Sequence, residues 1–169
     1  ARQVRGGFSL LPETVHVSRG EDLSVDLETG DVRFVVEGVA LMEAEIDTPV
    51  EAIAGARKRV LLAAYTFSSE PVAGELCAAR QRGVRVAVLV EGEPVGGTTA
   101  RSARVLDRLV ACGVEVVALG GPGDRYGVHH PKYAVVDDRA LVLSENWKPA
   151  GVGGRSSRGW GVLVDSRRI

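Results

Sequence analysis

From Thr48 onward the apolar positions alternate between two rhythms, and each stretch has its own start and stop signals. "TPVEAIAGARK" offers a Thr cap, Pro at the first helical position and Glu three residues after the cap, which predicts a helix. "VLLAAYTF" is an unbroken apolar run of strand length, the signature of a strand buried on both faces. "SSEPVAGELCAARQRG" predicts a second helix, opened by Ser and closed by Gly83. "VRVAVLVEG" is the next strand, "TTARSARVLDRLVACG" a third helix ended by Gly, and "VEVVAL" a third strand before the irregular loop "GGPGDRYG". Strands joined by helices of this length imply right-handed crossovers and parallel pairing.

The last third changes grammar. "KYAVV" and "ALVLS" are separated only by Asp137, Asp138 and Arg139, too short for a crossover, so they predict an antiparallel hairpin. A final strand, "WGVLV", follows. The expected fold class is α/β: a mixed, mostly parallel sheet with helices on both faces. Residues 1–47 read differently, as short alternating stretches ("TVHVS", "LSVDL", "VRFVVEG") separated by the turn-like "RGED" and "ETGD". They form a β-rich segment that is either a small substructure or the tail of a preceding domain, with residues 48–169 as the main unit. The start at Ala1 rather than Met fits either a processed protein or a piece of a longer one.

Composition narrows the class. With 45% hydrophobic and 25% charged residues, the 169-residue chain is an ordinary soluble globular protein, and its 5% aromatic content leaves the core to Val, Ala and Leu. No apolar run approaches the roughly 18 residues of a membrane span. A net charge of −1 argues against generic attraction to nucleic acid. The charge is uneven: residues 1–100 carry ten Lys/Arg against fifteen Asp/Glu, and residues 101–169 carry eleven against seven. An anionic substrate near the C-terminal half is compatible with that, as is a set of scattered solvated charges. Cys77 and Cys112 fall in predicted helices among apolar neighbours, where buried free thiols are expected. A single disulfide stays open, and so does the compartment, with the cytoplasm slightly favoured.

The chemistry concentrates in "YGVHHPKYAVVDDRALVLSENW". Side chains alternate along a strand, so His130 and Lys132 share a face and His129 takes the other. A loop of residues 137–139 sets Val136 against Ala140, which puts Lys132 opposite Ser144 and His130 opposite Asn146. An imidazole, an ammonium, a hydroxyl and a carboxamide would then converge on one anion. The imidazole alone has an unperturbed pKa suited to nucleophilic or acid–base work near neutrality. A two-histidine metal site is excluded by the opposed directions of His129 and His130. His16, alone in its segment, reads as structural, and Trp147 and Trp160 read as buried against the sheet. Lys148, Arg155 and Arg158 either steer a polyanion or are simply solvated. "GEPVGGTTARSAR" lacks the pattern of a nucleotide-binding loop.

His130, Lys132 and Asp137 fit the HxK(x)4D motif of the phospholipase D superfamily, followed by the Ser144-x-Asn146 element. The chain resembles that family over residues 48–165, through "VEAIAGARKRVLLAAYTFSSEPVAGELCAARQRGVRVAVLV". The resemblance implies a phosphodiesterase acting on a phospholipid or nucleic acid through a covalent phosphohistidine, with no metal and no cofactor. It assigns attack to His130, places Lys132 and Asn146 on the non-bridging oxygens with Ser144 assisting, and includes Asp137 in the catalytic motif. As a side chain, Asp137 reads physically as a turn-stabiliser.

Two departures from the family pattern stand out. Leu143 replaces the usual Gly, one residue early, and "RSSRGWGVLV" has Arg158 and Gly159 where many members carry an acidic residue that orients the histidine. The family's site uses two HxK motifs and this sequence holds one, so the resemblance implies a second half, from a homodimer or from the rest of a longer chain. The competing reading is a non-catalytic half-domain that dimerises or binds an anion.

Overall fold

The computed structural model describes residues 14–16, 23–25, 32–34, 39–43, 47–121, 123–152 and 159–165. The elements in chain order are β1 (Thr14–His16), β2 (Leu23–Val25), β3 (Val32–Phe34), β4 (Val39–Glu43), α1 (Asp47–Ala54), β5 (Arg59–Ala64) and α2 (Glu70–Gln81). There follow β6 (Arg85–Glu91), α3 (Ala100–Ala111), β7 (Glu115–Leu119), β8 (Lys132–Val136), β9 (Arg139–Leu143) and β10 (Trp160–Asp165). Helix α3 is capped by Thr99, whose hydroxyl accepts from the Ser102 amide at 3.1 Å. Both long helices stop where a glycine takes a left-handed conformation, Gly83 (φ 88°) and Gly113 (φ 83°).

Eight strands form one mixed sheet in the order β1-β4-β10-β9-β8-β5-β6-β7, and β2 and β3 pair separately. Parallel pairing is confined to β5–β6 and β6–β7; the other five neighbours in the sheet are antiparallel. The expected mixed α/β sheet is present, and the antiparallel share is larger than the sequence suggested because β1 and β4 join β10 at the sheet's far side. The described helices all lie on one face. Crossovers from β5 to β6 and from β6 to β7 advance in the same direction, and their right-handedness delivers α2 and α3 to the same side, with α1 packed against α2.

That face holds the core. Val60, Leu62, Val88, Val136 and Leu141 from the strands meet Ile53, Leu76, Val105 and Leu109 from the helices in one cluster. Among the described residues the other face carries no helix, and Tyr133, Val142 and Trp160 are part-exposed there. Trp160 is 42% exposed, so its expected burial does not hold, whereas Trp147 is fully buried with its indole N–H donating to the Ala63 carbonyl at 3.2 Å. The cysteines also depart from expectation: Cys77 of α2 and Cys112, just past α3, form a disulfide across the two helices. The helix pairing brings their Cα atoms to 5.6 Å, inside the range a disulfide spans.

Cross-linking positions 35 residues apart removes about 3–4 kcal/mol of unfolded-state freedom in the chain-entropy picture. Reduction, or the double variant Cys77→Ala/Cys112→Ala, is expected to lower the calorimetric midpoint by about 6–16 °C. An unchanged midpoint would show that packing alone holds α2 against α3.

Candidate active site

Strand β8 starts with Lys132 paired to Ala64, the last residue of β5, and the Tyr65 amide donates to the Pro131 carbonyl at 2.9 Å. Because β8 runs antiparallel to β5, its head lies at the edge where β5, β6 and β7 all end. That carboxyl edge is where open α/β sheets place their ligands. His130 is exposed there, stacked on the Tyr65 ring with centroids 4.1 Å apart and a 50° tilt. The Lys132 ammonium lies 3.1 Å from His130 Nδ1, donates to the His130 carbonyl at 3.3 Å, and sits 5.9 Å from the Tyr65 ring centroid. An ammonium can only donate, so Nδ1 is the acceptor in that contact. The two sequence-predicted residues are thus in direct contact.

The hairpin closes one residue tighter than expected. Val136 pairs with Arg139 and Tyr133 with Val142, so the loop is Asp137-Asp138 alone, with Asp137 at φ 55°. Two-residue loops with positive φ match the twist of the flanking strands, which is why the shorter connection wins. The consequence is the change of parity that a one-residue slip always brings. Extending the observed register, His130 faces Glu145 rather than Asn146, and Lys132 faces Leu143 rather than Ser144. Ser144 is bound instead to β10: its amide donates to the Trp160 carbonyl and its Oγ accepts from the Trp160 amide, both at 2.9 Å. Asn146 returns to the carboxyl edge by another route. Its neighbour Trp147 accepts from the Ser68 and Ser69 amides at 2.7 and 3.1 Å, and Asn146 Oδ1 is buried without a partner.

Asp137 is not brought to this cluster. It lies at the opposite end of β8, where its carboxylate accepts from the amides of Arg57, Lys58 and Arg59 at 2.9, 2.8 and 2.9 Å. Burial works to raise its pKa, and the three backbone donors together with Lys58 outweigh burial and hold it below the usual carboxylate value. The physical reading of Asp137 as a turn anchor is the one its contacts match. Arg155 and Arg158 fall outside the described residues, Lys148 is exposed, and His16 lies in β1, four strands away from β8.

Three neighbours of the site were not singled out from the sequence. Tyr65 supplies the surface under His130 and accepts at its hydroxyl from the Val95 amide at 2.7 Å. Glu145 stands near Lys132, where burial lowers the ammonium's pKa and the carboxylate partly restores it. The side chain of Glu145 fills the space beside Gly159, where any Cβ would overlap its Cγ. Glu91 closes β6 with a carboxylate that is only 5% exposed and accepts from the His129 amide at 2.5 Å and the Glu93 amide at 2.9 Å. Its signal in the sequence is a charge ending an otherwise apolar strand, "VAVLVEG". His129 is half-buried, with Nε2 lacking a partner. Among the described residues no group of three or more His, Cys, Asp or Glu could hold a metal ion, and no helix is long and apolar enough to cross a membrane.

Residues 50–169 match a family model described as "Cardiolipin synthase, PLD-like domain". No curated protein matches the chain by sequence. Among solved structures, the fold is similar to that of a phospholipase D family member, Nuc from Salmonella typhimurium, at TM-score 0.66 and 19% identity, covering 76% of this chain and 82% of that one. It is also similar to NucT from Helicobacter pylori (TM-score 0.62, 20% identity, 77% of this chain and 86% of that one). A third similar structure is phosphatidylserine synthase from Haemophilus influenzae Rd KW20 (TM-score 0.58, 15% identity, 78% of this chain and 35% of that one).

Asp137→Ala is expected to cost about 1–2 kcal/mol of stability in denaturant titration at pH 7 while leaving the His130–Lys132 contact in place. The sign of its pH dependence follows from the lowered folded pKa. The stabilisation is complete above the unfolded value of about 3.9 and is lost as pH falls through the folded one, so the difference between wild type and variant should shrink only in acid. A difference that stays constant into strong acid would contradict this role.

Proposed function

Since the chain belongs to the phospholipase D-like family, we propose that it is a phosphodiesterase working through a covalent phosphohistidine at His130. The observation that carries this reading is the direct contact of His130 with Lys132 on the Tyr65 ring, at the exposed carboxyl edge of the sheet. In the free protein the ammonium occupies the imidazole's lone pair. A phosphodiester entering the site would draw Lys132 onto a non-bridging oxygen and release the ring for attack. Burial supports this step, because an ammonium taken partly out of water gains more from a phosphate charge than a solvated one does. Asn146 would supply a second donor, while Ser144 stays engaged with the Trp160 backbone of β10, off the face that carries Lys132.

The imidazole nitrogen forms the P–N bond as the P–O bond to the first alcohol breaks. That alcohol takes a proton from a general acid. Water then attacks phosphorus, the P–N electron pair returns to the ring, and a proton passes to the same acid–base group. The general acid is a second histidine, carried by another HxK half, because His129 has its Nε2 buried and cannot serve. Residues 48–169 would be the catalytic half-domain, completed by a second copy or by another half of a longer chain. Either a phospholipid or a nucleic acid fits the chemistry. The exposed Val95, Tyr126 and Val128, on the loops beside the site, favour a phospholipid (94%, 62% and 64% exposed).

Turnover of bis-p-nitrophenyl phosphate in EDTA is expected for the wild type and to fall by about three orders of magnitude or more in His130→Ala. Cardiolipin-containing vesicles should compete better than duplex DNA. Absence of turnover from a dimer verified by sedimentation would instead support the non-catalytic half-domain.

A further inference from the structure

We propose that Glu91 is a positioning residue for His130, fixing through backbone contacts the place from which the imidazole acts. This inference rests on the reading of His130 as the nucleophile and assigns it a support that lies on β6 rather than on β8. Glu91 is the last residue of β6, and it is the only buried charged residue among the described residues. One oxygen accepts from the His129 amide, immediately before His130, and the other accepts from the Glu93 amide. A single side chain therefore ties the loop after β6 to the segment leading into β8.

The tie closes on itself. The loop after β6 also reaches the site through Val95, whose amide donates to the Tyr65 hydroxyl, and the Tyr65 ring lies against the His130 ring. The imidazole is thus held from behind by the backbone of His129 and from below by Tyr65, with both supports fastened to one loop. Adjacent peptide units share a backbone, so a shift of the His129 amide carries directly into the Cα–Cβ direction of His130. The carboxylate is charged in this setting. Its pKa is lowered first by the His129 amide, then by the Glu93 amide, with smaller electrostatic contributions from both histidines, against an upward push from burial. A buried charge is expensive unless donors compensate it, and here the donors are the backbone groups whose position matters.

A second residue reports the same arrangement. Gly120, at φ 98°, follows the end of β7, and any Cβ there would overlap Glu91 Oε1 and lie 2.6 Å from Oε2. The glycine makes room for the carboxylate, and its own amide is held by Asp124 Oδ2 at 2.7 Å. Gly120→Ala would displace the carboxylate without altering any group that touches substrate.

The test compares wild type, Glu91→Gln and Gly120→Ala by three measurements. Glu91→Gln keeps size but turns an N–H₂ toward a backbone N–H. Turnover of bis-p-nitrophenyl phosphate should lose between about tenfold and a hundredfold in kcat with KM changed by less than about twofold, as expected when a reacting group is misplaced but binding is kept. In NMR spectra of the same proteins, the cross-peaks between the His130 and Tyr65 rings should weaken or vanish, while circular dichroism shows each variant folded. Intact ring cross-peaks and unchanged kcat in folded Glu91→Gln, with only the melting temperature lowered, would overturn the proposal and leave Glu91 a structural residue. If Gly120→Ala does not fold, Glu91→Gln alone decides. The NMR contact is read in the absence of substrate, so an inactive wild type would refute the phosphodiesterase reading while the positioning of His130 by Glu91 is still measured.

Discussion

The antiparallel pairing of β8 with β5 is the constraint on which the site depends. Had the chain continued its parallel winding, the start of β8 would lie at the amino edge of the sheet, away from the ends of β5, β6 and β7. Reversal puts Lys132 beside Ala64 and His130 against Tyr65, at the edge where the loops after the parallel strands gather. The same pairing buries Ala134 and Val136 against the helix-covered core, so the register that places the site is also the register the core requires. A slip of one residue would expose Val136 and carry Lys132 to the uncovered face. Packing energy thereby fixes the position of residues that contribute little packing themselves.

Charge is distributed along β8 according to the same geometry. At its far end Asp137 accepts from three amides of the segment entering β5, which anchors the hairpin at the end of β8 away from His130. At its near end the charges are left less satisfied. Lys132 is partly buried, with Glu145 as the carboxylate that favours its ammonium and His130 as its hydrogen-bond partner, and Asn146 Oδ1 and His129 Nε2 lack partners. Buried polar groups without partners are costly in a finished core, and they cluster where a ligand or a second subunit completes the arrangement. Glu145 also answers a question that Gly159 raises. The space a side chain at 159 would take is filled from the β9 side, so a carboxylate is present near Lys132 although the last strand supplies none at that position.

Much of this was legible in the sequence because local rules were strong. Gly83 and Gly113 mark helix ends by backbone chemistry, and the spacing of His130 and Lys132 fixes their shared face. Tertiary facts were harder to read. The loop of the hairpin depends on whether Asp137 accepts a positive φ, which it does because its carboxylate is anchored to residues nearly eighty positions away. The Cys77–Cys112 bond required knowing that α2 and α3 lie side by side. Tyr65, Glu91 and Glu145 join the site only through the folding of three separate loops, and nothing in their spacing announces it. Trp160 looked like core by composition and is part-exposed because the described helices cover a single face.

The central claim is that His130 is the group that bonds to phosphorus, and it can be tested on the bond itself. Phosphoramidates survive base, so protein mixed with bis-p-nitrophenyl phosphate, quenched in alkali during turnover and digested, can be mapped by mass spectrometry. A phosphoryl adduct is expected on the peptide carrying His130 in the wild type and is expected to be absent from His130→Ala. Steady turnover with no adduct, or with the adduct on another residue, would contradict it.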